Sequence, residues 1–227
     1  MIAKNIKILL DKIAEHCSKI GRDFNELTLV AVSKNQNVQE IREAYDAGLK
    51  NFGENKAQEL RDKVDLLPSD IIWNFIGHVQ TNKVKYIVPS ASLIHSVDSI
   101  RLLEEIENYA KKINKRQKIL LEIKTSDEAT KYGLQHEKDI LVSSEFCINS
   151  IHLELIGLMT MAPFVDEEKK IRDSFVQLRK LKEKLNAQGF SLVELSMGMS
   201  NDYLWAIEEG ATILRIGTAI FGERIYN

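Results

Sequence analysis

The sequence predicts an α/β fold, a single-domain (β/α)₈ barrel of parallel strands spanning residues 1–227. Two features predict it. Short apolar, β-branched runs recur eight times, and segments with helical periodicity separate them. The length of 227 residues suits one barrel, near the short end of the usual range of roughly 200 to 400 residues. A doubly wound open sheet is the alternative that the same alternation allows. No repeat, linker or low-complexity stretch divides the chain in two.

The elements follow in order. Ile2, Ile6, Leu9, Ile13, Cys17 and Ile20 recur at three- and four-residue steps, so residues 2–20 form one amphipathic helix, ended by Gly21. The first strand covers 28–34. Val38, Ile41, Ala44 and Tyr45 stripe the next helix, which stops at Gly48. A short strand covers 50–53, and Glu54 to Leu60 opens another helix. Ile71 to Ile76 is the third strand, closed by Gly77-His78, and Thr81 to Val88 is a short helix. The fourth strand lies at 93–96, after which Asp98 or Ser99 caps a helix carrying Ile100, Leu103, Ile106, Ala110 and Ile113 on one face. A fifth strand covers 118–123, a loop 124–135 and a weak helix 137–149. The sixth strand covers 153–158, and Ile171, Phe175, Leu178, Leu181 and Leu185 mark a long helix ended near Gly189. Strands at 192–195 and 212–216 flank a helix at 202–209.

Composition narrows the function. A hydrophobic content of 44% supports a sizeable core. With 31 basic and 33 acidic residues, bulk charge gives no reason to expect nucleic acid or an anionic membrane as partner. The five histidines show no metal-ligand spacing. Cys17 and Cys147 are expected to be buried thiols in a reducing compartment. Charge interrupts the apolar pattern of Met1 to Asn5, and no apolar run reaches transmembrane length. A soluble, cytoplasmic monomer is the expectation.

The chemistry gathers at strand ends. Leu29-Val30-Ala31-Val32-Ser33-Lys34 is a strand buried on both faces that ends in a lysine. In a barrel that end faces the mouth, where active sites sit. A partly desolvated amine there can attack a carbonyl carbon; the plainer reading is a lysine reaching out to water. The loops after strands seven and eight often hold phosphate in such barrels. Here they read Ser196-Met197-Gly198-Met199-Ser200 and Gly217-Thr218. Gly198 allows close backbone approach, and Ser200 can cap a helix or donate to an anion. Arg215 interrupts the apolar eighth strand and needs an acceptor. That acceptor is either a barrel carboxylate, Glu122 or Glu154, or a ligand ring nitrogen or oxyanion. An amine nucleophile, a phosphate cup and a cationic ring partner together suit pyridoxal 5′-phosphate (PLP).

Ordered motifs along nearly the whole chain carry a family resemblance. They are Val32-Ser33-Lys34, Phe52-Gly53-Glu54-Asn55, Phe75-Ile76-Gly77-His78, Gln80-Thr81-Asn82-Lys83, His95-Ser96-Val97-Asp98, Lys131-Tyr132-Gly133, Gly157-Leu158-Met159, Leu195 to Ser200 and Arg215 to Gly222. In these the chain resembles the single-domain PLP-binding proteins of the PLP homeostasis family, the YggS group of bacteria and PROSC of animals. The resemblance implies a barrel like the alanine racemase N-terminal domain, without that enzyme's second domain. It implies that Lys34 holds PLP as a Schiff base, that Ser200, Gly217 and Thr218 hold its phosphate, that Arg215 faces the pyridine nitrogen and that Asn55 lies near the ring hydroxyl. Lys83 and Lys131 match family lysines near the pocket mouth. One departure is visible: the third strand reads Trp73-Asn74-Phe75, where the family usually has histidine in the middle. The implied function is intracellular PLP, or vitamin B6, homeostasis with little or no turnover, and PLP-dependent apo-enzymes as recipients. The alternatives are an amino-acid racemase, a Schiff-base aldolase on a sugar phosphate, and a scaffold without ligand.

Overall fold

The computed structural model describes residues 1–126, 128 and 132–223. Among them, eight parallel strands close into a barrel in sequence order, with the last strand back against the first. The strands are β1 (Thr28–Val32), β2 (Asn51–Glu54), β3 (Ile72–Phe75), β4 (Leu93–Val97), β5 (Gln117–Glu122), β6 (Leu153–Met159), β7 (Glu194–Ser196) and β8 (Ile213–Ile216). The helices are α1 (Ile2–Lys19), α2 (Val38–Asp46), α3 (Ala57–Val64), α4 (Val84–Ile87), α5 (Ile100–Lys112), α6 (Glu137–Asn149), α7 (Glu168–Ala187), α8 (Tyr203–Glu208) and α9 (Thr218–Phe221). The closed, fully parallel sheet excludes the doubly wound alternative.

Each strand is followed by a helix that covers its outer face, so the strands are apolar on both sides. α1 precedes the first strand and packs against α2 and α9. Its stripe Ile2, Ile6, Leu9, Ile13 and Cys17 is buried there, and the Asn5 amide donates to the Ile220 carbonyl across the seam at 3.0 Å. α2 begins with a reciprocal cap: Asn37 Oδ1 accepts from the Glu40 N–H, and Glu40 Oε2 accepts from the Asn37 N–H.

Four local expectations shift. The turn at Thr81–Lys83 is 3₁₀, and only Val84–Ile87 is α-helical. The seventh strand starts at Glu194 rather than Leu192, because the β6 partners Gly157 and Leu158 set its register. Neither Asp98 nor Ser99 caps α5 through its side chain; Asp98 turns to His78 Nδ1 at 3.3 Å instead. Glu54 ends β2 rather than opening a helix, which begins at Ala57. Both cysteines are free and buried, and burial pushes the Cys147 thiol up to about 12, as inert structural thiols require. Among the described residues no helix is long and apolar enough to cross a membrane.

The barrel interior has two layers. Val30, Leu93, Leu120, Met159 and Ile213 form an apolar cluster of their own, separate from the core between sheet and helices. Two residues further along their strands, on the same inward face, stand His95, Glu122 and Arg215. Asn74 and Ser196 join them, each the inward neighbour of a residue, Trp73 or Leu195, that packs in the outer core. These five side chains are all buried. They form a polar layer directly beneath the C-terminal mouth.

Candidate functional site

The strand order brings the predicted residues to one end of the barrel. Lys34 lies two residues past β1, Asn55 one past β2, and Gly217-Thr218 directly past β8. β1 pairs with both β2 and β8, at Val32 with Gly53 and at Ala31 with Ile216. These three segments are therefore neighbours. Ser200 follows β7, and its Oγ accepts from the Ala219 N–H at 3.4 Å. It thus does not cap α8. Asp202 occupies the cap position of α8 without capping through its side chain; that carboxylate accepts from the Met199 N–H at 2.5 Å. Ser200 instead ties the loop after β7 to the turn after β8. Gly198 makes this loop possible. Its φ is +94°, and a Cβ would stand 2.6 Å from the Ala206 Cβ.

A buried ionic clamp holds the turn that carries Lys34. Ser33 donates to Glu54 Oε1 at 2.6 Å. Lys63 Nζ reaches the Ser33 carbonyl at 3.0 Å, Glu54 Oε1 at 2.8 Å and Glu59 Oε2 at 3.0 Å. Glu59 Oε2 also accepts from the Asn35 N–H at 2.8 Å. Asn35 has a left-handed φ of +62°, a conformation Asn tolerates. Both neighbours of Lys34 are therefore pinned. Burial pushes the Glu54 carboxyl upward, and the bonds from Lys63 and Ser33 oppose it. Lys63 was not apparent as a site residue, though Ala57, Leu60 and Lys63 share the buried face of α3.

Arg215 is buried, and its partners are neutral. Nη1 donates to Ser196 Oγ at 2.6 Å and Nη2 to the Thr160 carbonyl at 2.9 Å. No described carboxylate comes within ion-pair distance of it. The salt bridge to Glu122 or Glu154 is thus absent; Glu154 lies near the opposite end of β6 and faces Arg116 at 3.9 Å. Burial lowers the Arg215 pKa to about 10, against the fields of Asp202 and Glu122, so it stays charged at neutral pH. Burial, with Asp98 repulsion added, raises Glu122 to about 7. Asn74, at the position where the resemblance leads one to expect histidine, bonds to His95.

The outer rim continues over β2 and β3. A cavity of about 260 Å³ is lined by Asn55, Phe75, His78, Lys83 and Tyr86 among others. Asn55 Oδ1 is buried without a hydrogen-bond partner, an acceptor that a ligand donor would satisfy. His78 stacks on Tyr132 with ring centroids 3.7 Å apart. Lys131 lies outside the described residues. The arrangement offers a lysine, an orphaned amide oxygen, two linked loops with hydroxyls and a fixed cation around one opening. These groups, amine nucleophile, acceptor, hydroxyls and cation, suit an aldehyde, a ring hydroxyl, a phosphate and an aromatic nitrogen.

A model of the alanine racemase N-terminal domain family matches residues 8–225. A pyridoxal phosphate homeostasis protein of Aquifex aeolicus is 41% identical over 220 residues, which is 96% of either chain. The chain belongs to the pyridoxal phosphate homeostasis protein family. The Homo sapiens protein of that name is 38% identical over 239 residues, covering 98% of this chain and 86% of its own. PipY of Synechococcus elongatus PCC7942, in a structure with PLP bound, superposes with a TM-score of 0.82 at 34% identity, covering 92% of this chain and 100% of PipY. The fold alone extends to alanine racemase of Streptomyces coelicolor A3(2), with a TM-score of 0.75 at 17% identity over 98% of this chain and 58% of that one. The chain thus shares the barrel fold of the alanine racemase N-terminal domain.

Proposed function

We propose that this chain binds pyridoxal 5′-phosphate at the barrel mouth, covalently through Lys34, and serves PLP homeostasis as a carrier with no more than trace amino-acid turnover. The observation that carries the reading is the convergence of Lys34, Asn55, Ser200, Arg215, Gly217 and Thr218 at the ends of four adjacent strands. Asn55 Oδ1, buried and unpartnered, fits a group that brings a hydroxyl donor. PLP supplies an aldehyde that condenses with an amine, and a phosphate that anchors it. The clamp around Ser33 and Asn35 fixes where the Lys34 backbone stands. Ser200, Gly217 and Thr218 supply hydroxyl and backbone donors for the phosphate. Arg215 presents a fixed positive charge.

That charge argues against catalysis. A PLP enzyme works best as an electron sink when its ring nitrogen is protonated, which an acidic partner promotes. Arg215 opposes such protonation, and no described carboxylate lies within ion-pair distance of it; the fields of Asp202 and Glu122 reach it only from further off. The relatives of matching length are named homeostasis proteins, whereas the racemase match covers 58% of the racemase chain. The test is incubation of the PLP-loaded protein with L-alanine in deuterium oxide. The expected result is no sustained D-alanine. Racemisation within about a hundred-fold of ordinary enzyme turnover would promote the racemase reading. Recipients among PLP-dependent apo-enzymes, a monomeric state and a cytoplasmic location belong to the same proposal.

A further inference from the structure

The polar layer of the barrel contains one continuous hydrogen-bonded chain. It runs from β8 across β7 and β4 to β3. Arg215 Nη1 lies 2.6 Å from Ser196 Oγ, Ser196 Oγ lies 2.9 Å from His95 Nδ1, and His95 Nε2 lies 3.1 Å from Asn74 Oδ1. Asn74 Nδ2 continues to the carbonyls of Phe52 and Ile72, at 3.3 and 3.1 Å. All four side chains are buried, His95 completely.

The direction of this chain follows from donor chemistry. A guanidinium has no acceptor. Ser196 Oγ therefore accepts from Arg215 and keeps its single hydrogen available for a bare His95 Nδ1. The far end decides the tautomer. Carbonyl oxygens have no hydrogen to give, so the Asn74 NH₂ faces Phe52 and Ile72 and Oδ1 faces His95. Oδ1 accepts, so His95 Nε2 carries the hydrogen. The Asn74 end demands Nε2–H, and in the neutral ring this leaves Nδ1 bare to accept from Ser196. A second ring proton would remove the acceptor at Nδ1 and place a buried imidazolium in the field of the Arg215 charge. Burial and the Arg215 charge also hold the ring well below its ordinary pKa.

We propose that His95 is a positioning residue: a neutral imidazole, fixed in one tautomer by Asn74, which orients Ser196 to hold the Arg215 guanidinium. An aspartate at position 74 would still accept from Nε2–H but would add a charge that favours imidazolium. Asn74 therefore keeps this relay free of titration near neutrality. Arg215 is the charged group whose field reaches His95. Glu122, at the end of the adjacent strand β5, is the other charged side chain in this layer.

The relay is a property of the PLP-free chain; its effect on cofactor binding rests on the proposed function. The first arm therefore uses PLP-free protein. Nitrogen-15 spectra of the histidine ring should show the Nε2–H tautomer, unchanged from pH 5 to 8. An Nδ1–H tautomer, or titration of His95 in that interval, would overturn the proposal. His95→Leu breaks the chain, whereas His95→Gln can keep its polarity, with an amide oxygen toward Ser196 and an amide NH₂ toward Asn74. Side-chain N–H exchange at Arg215 should accelerate about ten-fold or more in His95→Leu, as expected for loss of a hydrogen bond to a charged group, and stay near wild type in His95→Gln. Equal exchange in all three proteins would overturn the positioning role. Asn74→Asp covers the case in which leucine at 95 does not fold. In it His95 should titrate between pH 5 and 8, and a ring that stays neutral there would refute the role given to Asn74. In the second arm, PLP titrated into the same proteins should bind His95→Leu more weakly than His95→Gln. No PLP binding by wild type, with the first arm as expected, would sink the cofactor reading and leave the relay standing.

Discussion

Replacing Glu122 by glutamine should stabilise the protein progressively as pH rises from the unfolded carboxyl pKa toward about 7. Glu122 is 3% exposed at the end of β5. Its pKa rises from 4.5 to about 7, first through burial, then through Asp98, with Arg215 opposing. A carboxyl whose folded pKa is raised binds its proton more tightly in the folded state. Its contribution is fully present below the unfolded value of about 4.3 and is lost as pH rises through about 7. At pH 8 the folded chain carries a buried carboxylate, and the linkage is worth about 3 kcal/mol. Near pH 5 it is worth under about 1 kcal/mol by the same relation. Glu122→Gln has the same size and never charges. In urea melts of the PLP-free proteins, the pH-dependent part of the difference should therefore grow to about 3 kcal/mol in favour of Glu122→Gln at pH 8. For a chain of this length that is roughly 6–12 °C in Tm. Other buried groups, Glu54 included, titrate in both proteins and cancel in the difference. A difference that stays constant from pH 5 to 8 would refute the reasoning.

The remaining predictions concern the clamp, the barrel wall and the phosphate cup. Lys63→Met leaves Glu54 buried without its counter-charge and should cost about 3–5 kcal/mol; the Glu54→Gln, Lys63→Met double variant should recover part of that in the same melts. Gly157→Ala places a Cβ 2.1 Å from the Glu194 carbonyl oxygen, so β6 and β7 must part; circular dichroism should show a much lower melting point than for alanine at Gly21, where nothing lies within 4 Å. Ser200→Ala should weaken PLP about ten-fold, the factor one hydrogen bond to a charged group carries, while leaving the weaker binding of unphosphorylated pyridoxal unchanged. Equal losses for both ligands would remove Ser200 from the cup.

Much of this architecture was legible because barrel strands are buried on both faces and read as short apolar runs. The runs that misled were those whose limits depend on partners. Leu192-Val193 looks like strand, yet Val193 is 61% exposed and pairing begins at Glu194. The candidate positions at strand ends, Lys34 and Gly217-Thr218, could be read from the order of elements, whereas Asn55 came only with the family resemblance. Glu122 and Arg215 announced themselves as charges within apolar strands. The relay could not be read this way. Asn74 and His95 come from consecutive strands and Ser196 from one about a hundred residues on, and only the barrel's register makes them touch. Lys63 left a fainter signal, a lysine at three-residue spacing on the buried stripe of its helix.

The central claim is that Lys34 holds the cofactor. Loading the protein with PLP, reducing it with borohydride and mapping the digest by mass spectrometry tests it most directly. The account predicts a single pyridoxyl-labelled peptide, the one carrying Lys34, and loss of that label in Lys34→Ala. A label on Lys83 or Lys131, with Lys34 unmodified, would contradict it.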